Sequence, residues 1–323
     1  MLKWMLACGA CLASLNIQAS EDPWLALQKT AYAARELNYQ GVFVYQNGNQ
    51  IRSVQITHMN NAGRELTRNV VLDGQPREVF SEGSDIVIFN AQNNKVVIEK
   101  RRGQNLFPAM LPTNLEALKS SYTSRFGAVE RIAGRDAQVI DLVPNDSFRY
   151  SYRVWSDIEF GLLLKMTLLD SQSRAIEQIG FTQLSMLNTH DLDWFQPKID
   201  LSKQYVMEDE TKVNHVTNNW VVANLPPGYR KIDHIEHVVP GKPGVVNQVI
   251  FSDGIASVSV FIEPIIKGMR AKTGQKIVGS TNICAHVTDG YQVIVVGEVP
   301  AQTVQQIARA ISFKKQPTTT ANK

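Results

Sequence analysis

The chain has 323 residues, a formal net charge of +3, 44% hydrophobic residues and 20% charged residues. This apolar content is typical of folded proteins, and the length allows two domains with separate cores. The near-neutral charge argues against a dedicated nucleic-acid binder, because such proteins concentrate basic residues on one surface.

Residues 1–19 are typical of a secretory signal peptide. Lys3 supplies a positive start, residues 4–15 are largely apolar, and the segment ends at the small residue Ala19. The apolar stretch is shorter than the roughly 20 residues that a helix needs to span a bilayer. We therefore expect export across the inner membrane with cleavage after Ala19.

The cysteines predict no disulfide in the mature protein. Cys8 and Cys11 have C-x-x-C spacing, but both lie inside the segment that is removed. Cys284 is then the single thiol. Its apolar neighbours Ile283 and Ala285 favour a buried structural cysteine.

The mature chain is predicted to begin with a helix. Asp22 suits the N-cap and Pro23 suits the first helical position. Apolar residues then recur at spacings of three and four, which predicts one buried stripe. The stripe consists of Trp24, Leu27, Ala31, Ala34 and Leu37.

Short alternating segments between residues 39 and 99 predict strands, with Asn47-Gly48 as a hairpin turn. The alternation stops at residues 106–112, where an apolar segment with two prolines predicts a loop. Thr113 and Glu116 have the spacing of a capping box, which predicts a short helix after the loop.

Residues 134–184 carry the most regular pattern of the chain. Phe148, Tyr150, Tyr152 and Val154 occupy every second position, as expected for a strand with one buried face. Turn residues interrupt this region at short intervals. The pattern predicts an antiparallel meander that forms a broad, curved sheet.

The second half is predicted to form a smaller domain. Residues 276–287 and 291–296 read as strands paired across Asp289-Gly290, and Val304, Ile307, Ala308 and Ile311 form the stripe of a closing helix. The predicted divisions are a signal peptide (1–19), a sheet domain (20–200), a polar connector (201–219), a C-terminal domain (220–315) and a flexible tail (316–323). The fold class is α+β, with a large open antiparallel β half-barrel packed by a helix and a smaller α+β domain.

The sequence offers no recognisable catalytic or metal-binding motif. It contains neither G-x-S-x-G nor a glycine-rich phosphate loop. His234 and His237 have ligand spacing for a helix, but a strand would point them to opposite faces. The acidic residues 191, 193 and 208–210 lack the glycine and regular spacing of a calcium loop. We predict no enzyme activity, no metal and no cofactor.

A curved sheet that is only partly covered by one helix predicts an apolar groove for an acyl chain or an extended peptide. For each groove residue, ordinary core packing is the alternative. The candidates are Phe89, Phe107, Met110, Trp155, Leu163 and Met166.

The densest basic cluster is a candidate contact for anionic groups. Lys100, Arg101 and Arg102 follow one another at the end of a predicted strand. They could bind lipid phosphates or an acidic peptide. The alternative is a solvated strand edge, which lysines commonly protect.

Several motifs in the same order along both halves resemble the RseB/MucB family of periplasmic regulators of the envelope-stress sigma factor. No single motif is diagnostic, and the likeness rests on their succession. The motifs are Arg149-Tyr150-Ser151-Tyr152 with Trp155 and Asp157, Gly161 to Lys165, Leu168-Leu169-Asp170, Glu177-Gln178, Leu225 to Tyr229, Phe251 to Gly254, and Val296 to Pro300.

The resemblance implies a LolA/LolB-like large domain and a regulatory function in the periplasm. Such a protein binds the periplasmic segment of an anti-sigma factor, shields it from proteolysis and is released by lipopolysaccharide or another acyl lipid. It also implies a possible homo-oligomer. A lipid or lipoprotein carrier of the LolA/LolB type is the alternative, and an envelope enzyme built from residues distant in sequence is a third hypothesis.

Overall fold

The computed structural model describes a large sheet domain followed by a smaller sheet domain. For residues 99–100, 207–209, 237–238 and 245 it describes the backbone only. The described residues are 22–90, 95–100, 106–198, 200, 202, 206–209, 220–238, 245–268 and 270–313. The predicted signal peptide and tail lie outside them.

The first domain contains two α-helices, one 3₁₀ helix and most of the strands. Its elements are α1 (Pro23–Glu36), β1 (Tyr39–Asn47), β2 (Gln50–Asn61), β3 (Arg64–Val71), β4 (Glu78–Glu82), β5 (Asp85–Asn90), β6 (Lys95–Lys100), α2 (Glu116–Ser121), β7 (Tyr122–Ile132), β8 (Arg135–Pro144), β9 (Ser151–Asp157), β10 (Leu163–Leu169), β11 (Ala175–Met186), η1 (Leu192–Phe195) and β12 (Val206–Asp209).

The strands form one sheet in the order β12-β6-β5-β4-β3-β2-β1-β11-β10-β9-β8-β7. Hairpins connect most neighbours, and the pairing of β1 with β11 joins the two runs into one surface. All pairs are antiparallel except β12 with β6. The predicted large antiparallel sheet is confirmed. The sequence did not predict β12, which lies within the expected connector, because four residues are too short for a clear pattern.

Helix α1 is confirmed as the helix that packs on the sheet. The Asp22 side chain accepts a hydrogen bond from the Trp24 amide at 2.9 Å, as an N-cap residue does. Leu27, Ala31 and Ala34 are almost completely buried. The spacing of these small and apolar residues lets the helix lie close to the strands.

The segment of residues 106–115 contributes buried side chains to the core of the first domain. Phe107 packs between Phe43 and Phe181, with ring centroids 5.0 and 4.9 Å away. Leu111 and Leu115 are buried beside them. A loop can be buried here because its apolar side chains replace the contacts that another helix would make.

The predicted capping box of α2 is wrong. The helix begins after Leu115, and Asn114 Oδ1 accepts a hydrogen bond from the backbone amide of Glu116 at 3.0 Å. Thr113 instead offers its carbonyl oxygen to the Gln28 side chain of α1. A contact with α1 thus fixes Thr113 outside the capping position.

The second domain is a six-stranded antiparallel sheet with one helix and a separate two-stranded pair, β13 with β20. Its sheet order is β14-β15-β16-β19-β18-β17. The elements are β13 (Trp220–Val222), β14 (Arg230–Val238), β15 (Val245–Ser252), β16 (Ser257–Pro264), β17 (Gly274–Val278), β18 (Thr281–Thr288), β19 (Tyr291–Gly297), α3 (Ala301–Arg309) and β20 (Ile311–Phe313).

The core of this domain lies between α3 and the sheet. Val304, Ile307 and Ala308 of α3 are buried, as predicted from their spacing, and α3 lies against β18 and β19. Cys284 is buried in this core and free, in agreement with the predicted structural cysteine. Within the described residues, no helix combines the length and apolar character required to cross a membrane.

Candidate functional site at the domain junction

The two domains meet around a cavity of about 320 Å³. This volume is near the lower end of the range of about 300–1,000 Å³ that is typical of small-molecule sites. The large domain contributes Met110, Tyr152, Met166, Leu168, Glu177, Gln178 and Ile179, and the small domain contributes Ile255, Ala256, Ser257, Ser259, Thr281, Val296, Gly297 and Glu298.

A buried ion pair joins the domains at one end of the junction. Arg149 Nε donates to Asp253 Oδ2 at 2.8 Å, and both side chains are completely buried. Arg149 also donates to the Asp146 carboxylate and to the Pro227 carbonyl oxygen. The Tyr229 ring lies 4.9 Å from the guanidinium carbon. Removing one charge would leave the other buried without its partner, which is strongly destabilising.

The sequence predicted a strand through Phe148, but β9 begins at Ser151. The preceding turn leaves the sheet and contacts the small domain. The Phe148 carbonyl oxygen accepts from Thr303 Oγ1 at 2.8 Å, and Tyr150 Oη accepts from Asn282 Nδ2 at 3.1 Å. Phe148 and Tyr150 therefore contact the small domain, whereas Tyr152 and Val154 lie in β9 and are buried, as the alternation predicted.

At the other end, the β1–β2 turn contacts the turn between β17 and β18. Ser280 donates its amide to Asn47 Oδ1 at 2.9 Å and its hydroxyl to Glu177 Oε2 at 2.5 Å. Gly279 has a φ of +60°, and a Cβ there would lie 1.9 Å from Asn47 Oδ1. The sequence predicted one continuous strand over residues 276–287. The structure interrupts it at Gly279-Ser280 because this close approach requires a turn with glycine.

Burial raises the pKa values of the tyrosines around the junction. The pKa of Tyr45 is about 12, and those of Tyr122, Tyr152 and Tyr229 lie well above their ordinary value. These hydroxyls are therefore neutral hydrogen-bonding groups at physiological pH. Burial also raises the pKa of Glu177, although hydrogen bonds from Ser280 and Tyr45 oppose the shift.

The structure brings only two of the predicted groove residues to this cavity. Met166 is buried and Met110 partly buried, and both line its wall. Phe107 lies in the core of the large domain, as does Leu163, which is completely buried. That core is filled because α1 and the residue 106–118 segment both enter the concave face.

The other two aromatic candidates lie elsewhere. Trp155 is buried, donates its indole hydrogen to Glu130 at 2.8 Å and faces the Lys165 ammonium. Phe89 packs in a separate small cluster with Phe80 and Val96. The assignment of all six residues to a ligand groove stays a prediction.

The predicted basic cluster lies largely outside the residues that the structure describes. Arg101 and Arg102 lie outside the described residues, and Lys100 is described only in its backbone at the end of β6. Its role in binding anionic groups also stays a prediction.

Sequence reasoning missed Arg149 and Asp253 as interacting residues. The sequence does mark both positions as unusual, because Arg149 interrupts an aromatic stretch and Asp253 belongs to a turn that follows an apolar strand. Their pairing across 104 positions could not be deduced from local pattern. No group of acidic, histidine or cysteine side chains suited to a metal occurs within the described residues.

Comparisons with known proteins cover both domains. The MucB/RseB N-terminal domain family matches residues 22–199, and the MucB/RseB C-terminal domain family matches residues 214–312. The sigma factor AlgU regulatory protein MucB of Pseudomonas aeruginosa is 29% identical over 315 residues, with 95% of this chain and 96% of the relative covered. The sigma-E factor regulatory protein RseB of Escherichia coli K12 is 26% identical over 312 residues, with the same coverage.

A solved structure of the Pseudomonas aeruginosa MucA/MucB complex has the same fold. It is 28% identical, has a TM-score of 0.73, and covers 91% of this chain and 100% of that chain. The match therefore includes both domains.

Proposed function

Because this chain belongs to the MucB/RseB family of non-enzymatic regulatory proteins, we propose that it binds the periplasmic segment of an anti-sigma factor. The bound regulator protects that segment from regulated proteolysis. The observation that carries the proposal is the similarity to the solved MucA/MucB complex over both domains. The predicted signal peptide supports a periplasmic location, with cleavage after Ala19.

We also propose that lipopolysaccharide or another acyl lipid releases the anti-sigma segment. The cavity at the junction supports this step, because its wall includes the apolar side chains of Met110, Met166 and Ile179. If lipid and anti-sigma segment favour different arrangements of the two domains, each weakens the binding of the other by the same factor. A coupling of about 1–3 kcal/mol is ordinary for such linked sites.

The test is a binding titration of the mature chain with a labelled periplasmic segment of the cognate anti-sigma factor. We expect saturable binding, protection of the segment from the site-one protease, and displacement by added lipopolysaccharide. Absence of binding would contradict the proposed regulatory function. Transfer of bound lipid to acceptor membranes would then favour the alternative function of a lipid or lipoprotein carrier. If the segment binds but lipopolysaccharide does not displace it, the proposed release by lipid is contradicted and the proposed binding stands.

A cavity-filling variant tests the site of the lipid step. Met110→Trp places a large ring at the cavity wall, whereas Leu25→Trp adds the same ring at a position of α1 that is 67% exposed. We expect the Met110 variant to need about tenfold more lipid for release, equivalent to about 1.4 kcal/mol, and to retain its resting affinity. Equal lipid responses in both variants would contradict this location.

A further inference from the structure

The cavity at the junction contains a carboxyl group from each domain. Glu177 lies on β11 of the large domain, and Glu298 lies between β19 and α3 of the small domain. Neither carboxyl has an ion-pair partner within the part of the chain that the structure describes. No cation among the described residues pairs with them, in contrast to the charges of Arg149 and Asp253, which pair with each other.

The groups that face the two carboxyls are neutral. Among the described residues, Tyr45 of β1 and Tyr152 of β9 are titratable side chains that interact electrostatically with both carboxyls. Their raised pKa values keep them protonated below about pH 10. Ser280 and Asn47 complete the surroundings as hydrogen-bonding groups.

Burial raises the pKa of Glu298 to about 7, and the nearby Glu177 carboxylate adds to the shift. Glu298 is exposed to solvent although it lines the cavity, so water screens part of the repulsion. A raised pKa means that the folded junction holds a proton more firmly than the unfolded chain does. The stabilisation by this proton is present at low pH and is lost as pH rises from about 4.3 through 7.

We propose that Glu177 and Glu298 make the contact between the two domains proton-dependent: the contact is firm while one carboxyl is protonated and loosens when both are ionised. This is a property of the chain alone and does not depend on the proposed function. If that function holds, periplasmic acidity adjusts how readily the domains rearrange for their ligands.

Hydrogen exchange of the Ser280 amide reports directly on this contact, because that amide donates to Asn47 across the junction. The experiment compares the mature wild-type chain with Glu298→Gln at about pH 5 and about pH 8. Comparing the two proteins at the same pH cancels the intrinsic pH dependence of exchange. We expect equal exchange near pH 5, and about tenfold slower exchange in the variant near pH 8.

Glu36→Gln is the matched control, because it removes the same charge from an exposed position at the end of α1. It should exchange as the wild type does at both pH values. If Glu298→Gln does not fold, as judged by far-ultraviolet circular dichroism, Glu298→Ala removes the same carboxyl and provides the same comparison. The proposal is overturned if the folded variant and the wild type show the same Ser280 exchange near pH 8.

Discussion

The two ends of the domain junction have opposite electrostatic arrangements. At one end, Arg149 and Asp253 carry opposite charges and are completely buried. At the other end, the acidic side chains of Glu177 and Glu298 share a partly open cavity whose described lining includes no basic side chain. Full burial with complementary charge gives a fixed contact, because moving the two charges apart within the junction would leave each one buried without its partner. Partial burial with like charges gives a contact whose strength follows protonation.

Breaking the ion pair should have the largest effect. We expect Arg149→Ala to lower the free energy of unfolding by about 3–5 kcal/mol, because Asp253 stays buried without its partner. Chemical denaturation measures this value. Arg64→Ala removes an exposed pair with Glu82 and should cost at most about 1 kcal/mol. Similar losses in the two variants would show that the buried pair does not hold the domains together.

A steric change should break the other end of the junction. Both Gly279 and Gly290 have a positive φ, but only a Cβ at Gly279 would meet another group, Asn47, within 4 Å. We expect Gly290→Ala to cost about 1–2 kcal/mol from the backbone conformation alone. Gly279→Ala should cost about 1–3 kcal/mol more, because the added methyl group displaces the β1–β2 turn.

Thermal unfolding of the two glycine variants in parallel provides the measurement. If Gly279→Ala and Gly290→Ala unfold at the same temperature, the close approach of Gly279 to Asn47 does not contribute to stability.

Deleting the Ser280 hydroxyl should have the smallest effect. Ser280→Ala removes a hydrogen bond to the Glu177 carboxylate and one from the Asn47 amide. We expect a loss of about 1–2 kcal/mol in denaturation experiments. Ser120→Ala on the exposed face of α2 should change stability by less than about 0.5 kcal/mol. A Ser280 variant as stable as wild type would mean that water replaces both bonds.

Local patterns predicted the elements whose residues interact with near neighbours. The apolar stripes of α1 and α3 follow from burial of one helix face, so periodicity is sufficient to find them. The pattern failed where distant segments decide the conformation. Phe148 lies outside β9, and its carbonyl oxygen accepts a hydrogen bond from Thr303 of α3, 155 positions away.

The candidate groove shows the same limit. Apolar side chains in a strand predict a buried face but do not say what covers it. Phe107 and Leu163 are covered by the protein's own loop and helix, whereas Met110 and Met166 face the space that the second domain leaves open. The local sequence around these four residues does not distinguish the buried pair from the pair that lines the cavity.

The amino-acid sequence by itself determined the two sheet domains, the packing helices and the likeness to a regulatory family, because periodicity and ordered motifs are local properties of the chain. Only the tertiary structure decided which residues join the domains. Arg149 meets Asp253, and Glu177 shares a cavity with Glu298, through packing of segments more than 100 positions apart. The strength of an ion pair and the burial of a side chain depend on distances in space, and the order of residues along the chain does not specify those distances.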